Sequence, residues 1–189
     1  MKLLVDRLSS TPKEFRFEAP AEGWEALEAA HPELEPRLLG RVVFELQAHK
    51  MGEDVYVQGV AQAVFECGCS RCLARYRHAL REPFRMVLEP AAGRIPSEPE
   101  GAEVLARDGL WLGDELDAGW YRGSEIDLTR TLREVVVLGL PVQPLCREGC
   151  RGLCPHCGVD RNVETCTCAE AASSSPFAVL RRLRAEQGD

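Results

Sequence analysis

Between residues 41 and 66 the chain alternates. Val42, Phe44, Leu46 and Ala48 fall on one face of an extended segment, and Arg41, Glu45, Gln47 and His49 on the other. A period of two marks a half-buried strand. Lys50 to Asp54, with Gly52 inside it, predicts a turn. Val55 to Glu66 predicts a second strand, antiparallel to the first. A third strand is expected over Ala74 to Glu89. Tyr76, Leu80, Phe84, Met86 and Leu88 share its apolar face, while Arg75, Arg77, Arg81 and Arg85 share the other, and Pro83 reads as an interruption. Residues 1–20 read as one opening strand with Phe15 and Phe17 on the same face. Ala21 to Ala30, with Trp24 and Leu27 three apart, reads as a short helix ended by His31-Pro32. His49 reads as a solvated strand residue.

The period then changes. Asp127 is placed as an N-cap, and Leu128, Leu132, Val135, Val136 and Leu140 follow at helical spacing up to Gly139-Leu-Pro141. Ser175-Pro176 opens a last helix carrying Phe177, Leu180 and Leu183, after a small-residue linker from Ala169 to Ser175. Three prolines, with Gly93 and Gly101, mark residues 90–110 as a loop. Trp111 and Trp120 bracket the end of the acidic stretch and are expected to pack it onto the sheet. The pattern is that of an α+β fold: an antiparallel β-meander core with a few helices and a C-terminal cysteine-rich zinc-binding segment. The expected organisation is a core domain over 1–145, with a zinc knuckle at 69–72 and an acidic loop at 90–117. A cysteine-rich segment over 146–168 and a linker and terminal helix over 169–189 complete it.

Length and charge narrow the picture. A chain of 189 residues makes about one domain with a real core. The net charge of −7 argues against a strongly basic nucleic-acid binder. Residues 98–117 hold Glu98, Glu100, Glu103, Asp108, Asp114, Glu115 and Asp117 against Arg107, and so carry six of the seven net charges. The rest is nearly neutral, and the chain as a whole uses 20 arginines against 3 lysines. The arginine face of the third strand has two readings. One is the solvated side of an open sheet. The other is a phosphate-facing stripe. The start, MKLLVDRLSS, lacks a signal-peptide core, and the longest apolar run, Val135 to Val142, is too short to span a bilayer, so the expected location is the cytoplasm.

Nine cysteines in a reducing compartment point to metal or redox chemistry rather than disulfides. Eight of them form four pairs: Cys69/Cys72, Cys146/Cys150, Cys154/Cys157 and Cys166/Cys168. A C-x2-C turn presents two sulfurs to one ion, and Zn²⁺ takes four in a tetrahedron. Pro155 restricts one such turn, and Gly158 is free to adopt the positive φ that closes it. The expectation is a local site of Cys154, Cys157, Cys166 and Cys168, and a second of Cys69, Cys72, Cys146 and Cys150. A single site with spare thiols is the alternative. Cys67 is left over, and His156 is expected to point away from the metal. Closed tetrathiolate sites leave no position for a substrate, and no nucleophile–base or phosphate-loop motif occurs, so the chain is not expected to be an enzyme. A zinc-thiolate redox sensor is a further alternative.

The ordered set of motifs resembles one family. Cys69-Ser-Arg-Cys-Leu73 after a hairpin is similar to the C-x-R-C motif of the YceD family. Glu125-Ile-Asp-Leu128, Leu138-Gly-Leu-Pro141, Leu145-Cys, Cys150-Arg-Gly-Leu-Cys-Pro-His-Cys-Gly158, Arg161-Asn162, Cys166, Cys168 and Ser-Pro-Phe-Ala-Val-Leu180 match its second half in order. Members are large ribosomal RNA subunit accumulation proteins, needed for normal 23S rRNA levels. Some lack the C-terminal cysteines, and Cys67 is a departure from the pattern. The resemblance implies an accessory role in bacterial ribosome biogenesis, exerted on rRNA or a precursor ribosomal particle. Arg71, Arg75, Arg77, Arg81 and Arg85 are the candidate RNA contacts, with Arg147, Arg151 and Arg161 as possible helpers. The other mechanism is a protein–protein adaptor that grips a large-subunit ribosomal protein or a nuclease through residues 98–117.

Overall fold

The alternating stretch becomes the spine of the fold. The computed structural model describes residues 1–21, 24, 36–113 and 117–168. Short strands β1 (Lys2–Leu4), β2 (Lys13–Ala19) and β3 (Arg37–Leu38) precede three long ones, β4 (Val42–Met51), β5 (Asp54–Gly68) and β6 (Arg75–Pro90). Helix α1 (Pro99–Asp108), strands β7 (Leu110–Leu112), β8 (Ala118–Tyr121) and β9 (Glu125–Asp127), and helix α2 (Thr129–Gly139) follow. The main sheet runs β2-β4-β5-β6-β8-β7, with β3 beside β5, and β1 pairs with β9 in a separate two-stranded sheet. The α+β architecture is as the sequence implies.

Packing follows the alternation. Val42, Phe44, Leu46 and Ala48 are buried, and so are Val57, Ala61, Phe65 and Cys67 of β5 and Leu80, Met86 and Leu88 of β6. Amphipathic α2 lays Leu132, Val135 and Val136 into the same core. Each such side chain contributes about 1.5–3 kcal/mol on burial. The opposite face stays open, and Arg77, Arg81 and Arg85 are exposed on it.

Several expectations change. Residues 1–20 form two strands in two sheets, because β1 is drawn to β9 through Lys2↔Asp127 while β2 lies along β4. Pro83 does not interrupt β6; it sits opposite Val60 within the continuous ladder. β8 joins β6 only from Val87 onward, so Pro83 lies where β6 is a sheet edge and a missing N–H is tolerated. The stretch read as a loop holds α1 and β7. Pro99 starts the helix at its first turn and Gly109, φ +71°, ends it, so the proline and glycine act as helix punctuation. Trp111 and Trp120 pack together across β7 and β8, their ring centroids 5.1 Å apart. β8 runs parallel to β6, which makes the sheet mixed rather than a pure meander. Asp127 ends β9, and its carboxylate still accepts the Thr129 N–H at 2.9 Å, one residue into the helix. His49 is half-buried and stacks on Tyr56. Most of the expected Ala21–Ala30 helix, Asp114 and Glu115, and the linker and terminal helix after Cys168 lie outside the described residues. No helix among the described residues is long and apolar enough to cross a membrane.

Candidate metal centre

The structure gathers the eight paired cysteines into two groups of four. Cys69, Cys72, Cys146 and Cys150 form one, Cys154, Cys157, Cys166 and Cys168 the other, and within each group the sulfurs lie within 4.8 Å of one another. In the first, Cys69 Sγ is 3.8 Å from Cys150 Sγ and Cys72 Sγ is 3.7 Å from Cys146 Sγ. In the second, Cys166 Sγ is 3.6 Å from Cys157 Sγ and 3.2 Å from Cys154 Sγ. Four sulfurs about 2.3 Å from one tetrahedral ion stand about 3.8 Å apart. Both groups therefore fit a single ion. A multi-iron cluster interposes several atoms between its thiolates and spreads them further.

Two turns of the same form supply a pair of ligands to each group. The β5–β6 connection contains Cys69 and Cys72. There the Cys69 N–H donates to the Ala74 carbonyl at 3.0 Å, and the Leu73 N–H donates to the Cys69 carbonyl at 2.9 Å. In the second group the Cys154 N–H donates to the Val159 carbonyl at 2.8 Å, and the Gly158 N–H donates to the Cys154 carbonyl at 2.9 Å. The residue after the second cysteine is left-handed in both, Leu73 at φ +61° and Gly158 at φ +74°. Glycine adopts that conformation freely, whereas leucine pays roughly 1–2 kcal/mol for it. Leu73 holds it in the first turn, beside the first group of thiols.

The groups differ in setting. Cys69, Cys72 and Cys150 are at most 7% exposed and form a small core with Tyr76, Leu145 and Leu153, whereas Cys157 and Cys168 are exposed. Backbone bonds join the first group's two halves: Ser70 N–H to the Pro144 carbonyl and Leu153 N–H to the Arg71 carbonyl, both at 2.9 Å. The Arg71 guanidinium donates to the Cys150 carbonyl at 3.0 Å. Asn162, to which the sequence assigned no structural role, links the groups. Its amide donates to Cys150 Sγ at 3.4 Å, and its carbonyl accepts from the Arg151 N–H at 2.8 Å and the Arg147 guanidinium at 2.9 Å. The sequence cues were a polar residue in a turn between ligand pairs and the Arg161-Asn162 motif of the resemblance. Cys67 joins neither group; it lies in the main core, where burial pushes its thiol up. His156 is exposed.

The thiols are electrostatically prepared for a cation. Burial opposes ionisation of Cys69, yet the amides of Cys72, Cys146 and Arg71 outweigh it and draw the thiol down to about 6. Burial and the neighbouring thiols push Cys146 up to about 12. In the second group the amides of Cys157 and His156 bring Cys154 down to about 6, while hydrogen bonds with Cys166 and Cys157 push Cys168 up to about 12. Four thiolates this close cannot all ionise without a counter-charge, and a divalent ion supplies it.

Of the five arginines singled out, the structure separates two from three. Arg71 is engaged with Cys150, and Arg75 pairs with Glu66 at 3.3 Å. Arg77, Arg81 and Arg85 are exposed on the open face of β6.

Residues 57–184 match the family described as "Large ribosomal RNA subunit accumulation protein YceD". An uncharacterized protein of Mycobacterium tuberculosis is 30% identical over 115 residues, 61% of this chain and 49% of its own length. The chloroplastic "Large ribosomal RNA subunit accumulation protein YCED homolog 1" of Arabidopsis thaliana is 22% identical over 68% of this chain and 44% of its own length. That of Zea mays is 28% identical over 59% and 43% respectively. The chain thus spans about half the length, or less, of the curated relatives it matches. No solved structure matches it.

Two outcomes follow from this geometry. Cys72→Ser, in the buried group, should lower the thermal unfolding midpoint by more than ~10 °C, and Cys168→Ser, in the exposed group, by less than ~4 °C, measured by calorimetry of the metal-loaded protein. Because protons compete with the metal for sulfur, affinity should fall as the pH drops, and most steeply below about 6, where even Cys69 and Cys154 take up protons in the metal-free protein. A chromophoric chelator titrated against pH reads that release.

Proposed function

We propose that this chain, which belongs to the YceD family of large ribosomal RNA subunit accumulation proteins, is an accessory factor in making the large ribosomal subunit and binds rRNA, or a precursor particle containing it, through the exposed edge of β6. The observation that carries this reading is electrostatic. Among the described residues Arg77, Arg81 and Arg85 have no ion pair, although the chain is acidic overall. Two acids elsewhere on the same face are occupied: Arg16 pairs with Glu45 at 2.6 Å and with Glu18 at 3.3 Å, and Arg41 also pairs with Glu18. The edge is left locally positive. Residues four apart on a strand stand roughly 13 Å apart, so the three guanidiniums reach phosphates along several nucleotides.

Zinc is the ion the eight thiols suit best, because tetrahedral sulfur sites are its ordinary structural setting. Cys69, Cys72, Cys146 and Cys150 would hold one ion, and Cys154, Cys157, Cys166 and Cys168 another. A closed sulfur tetrahedron supplies rigidity, not a reactive position, and we assign the protein no catalysis. The partners of this reading are rRNA or a precursor particle, with a large-subunit ribosomal protein as a neighbour there. The adaptor alternative through residues 98–117 has less support, since Asp108 is already paired with Arg107 at 2.7 Å and Arg130 at 3.3 Å.

Fluorescence anisotropy with a 23S rRNA fragment tests the reading. Arg81→Gln with Arg85→Gln should weaken binding at least ~tenfold and lower the slope of log affinity against log salt by about 2. Arg75→Gln should change both far less. Affinity and slope that do not respond to the double variant would contradict RNA binding by this edge.

A further inference from the structure

Side chains on the open face form rows across the sheet, because β2, β4, β5 and β6 are in register. Arg16, Glu45, Val60 and Pro83 make one row, and Glu14, Gln47, Gln58 and Arg85 make the next. A groove of about 980 Å³ lies between them, crossing the four strands at Phe15, Leu46, Gly59 and Phe84. One wall is apolar toward β6, at Val60 and Pro83. The other carries two carboxamides, with Gln58 Nε2 donating to Gln47 Oε1 at 3.5 Å, and ends in the Arg85 guanidinium. The row beyond that wall holds His49 opposite Tyr56, stacked with ring centroids 5.2 Å apart and planes 16° apart.

A double helix has little use for such a surface. Its base faces are stacked and its pairing edges are occupied, so it would meet only the arginines. Unpaired nucleotides use all of it. Their bases stack on aromatic rings or apolar walls, and their edges bond to carboxamides. Charge sets the orientation. Arg77, Arg81 and Arg85 line β6, while on β2 and β4 Arg16 is neutralised by Glu45 and Glu14 carries a carboxylate with no ion pair among the described residues. Phosphates are therefore favoured at the β6 edge, and the amino groups of bases toward Glu14.

We propose that the groove between these two rows, with the His49–Tyr56 pair beside it, takes unpaired nucleotides, so that the RNA on β6 is single-stranded, its phosphates on Arg77, Arg81 and Arg85 and its bases turned inward across β5 and β4. This inference rests on RNA binding by the same face.

Anisotropy with a fluorescein-labelled 12-nucleotide RNA, alone and annealed to its complement, separates the two claims. The wild-type protein should bind the single strand at least ~tenfold more tightly than the duplex. Tyr56→Ala and Gln58→Ala should each weaken single-strand binding on the order of tenfold and leave duplex binding unchanged. Tyr56→Phe, which keeps the ring, should bind like the wild type. Equal or tighter duplex binding, or Tyr56→Ala and Gln58→Ala variants that bind the single strand normally, overturns the groove inference. If Arg81→Gln with Arg85→Gln still weakens binding at least ~tenfold in that case, RNA binding by the edge survives. If the wild type binds neither RNA, both fall.

Discussion

The packing of four sulfurs at the tip of the longest hairpin is the constraint on which the rest depends. β5 and β6 outrun their neighbours. β4 accompanies β5 no further than Gln62, and β8 reaches only Val87 to Pro90 of β6. From Ala63 and Leu80 to the turn the pair is a two-stranded arm, flanked among the described residues by the short strand β3 and the Leu39 N–H that donates to the Val64 carbonyl. A free two-stranded hairpin is marginal in water. Here its turn supplies Cys69 and Cys72, and the segment after α2 returns with Cys146 and Cys150. The arm is thereby tied to the helix that covers the sheet, and Tyr76 packs against both the main core and the buried thiols.

The second group extends this clamp rather than repeating it. Its thiols come from one short segment, with Cys157 and Cys168 exposed, so it orders residues 154–168 locally. It reaches the first group through Asn162, whose amide touches Cys150, and through Gly152. At Gly152, φ +68°, an added Cβ would meet the Arg71 carbonyl at 2.9 Å, a contact that keeps the two chain segments close. Arg71 is therefore part of the clamp, and along β6 the guanidiniums with no ion pair among the described residues begin at Arg77.

Features with a local cause were legible in the sequence. Alternation over 42–48 fixed which side of β4 is buried, because a strand's side chains must alternate. C-x2-C spacing marked both knuckle turns for the same reason: the turn that places two sulfurs is encoded in consecutive residues. What was not legible depends on distant partners. The parallel pairing of β8 with β6 leaves no mark in either strand, and α1 was hidden because proline and glycine serve both as loop formers and as helix ends. Five arginines looked alike along one stretch, yet only the fold shows that Arg71 and Arg75 are occupied. The rows that join Gln47, Gln58 and Arg85 require the register of three strands at once.

Function on this account lies on the open face, and the thiols matter because they hold the far end of that face in shape. Hydrogen–deuterium exchange on the metal-loaded and the chelator-stripped protein tests this most directly. The account predicts that stripping exposes amides at the tip, over 65–78 and 144–168, while Val55 to Val60 and Phe84 to Leu88 keep their protection. Unchanged exchange over 65–78 after complete metal removal would contradict it, as would stripped protein that loses protection evenly across the whole sheet.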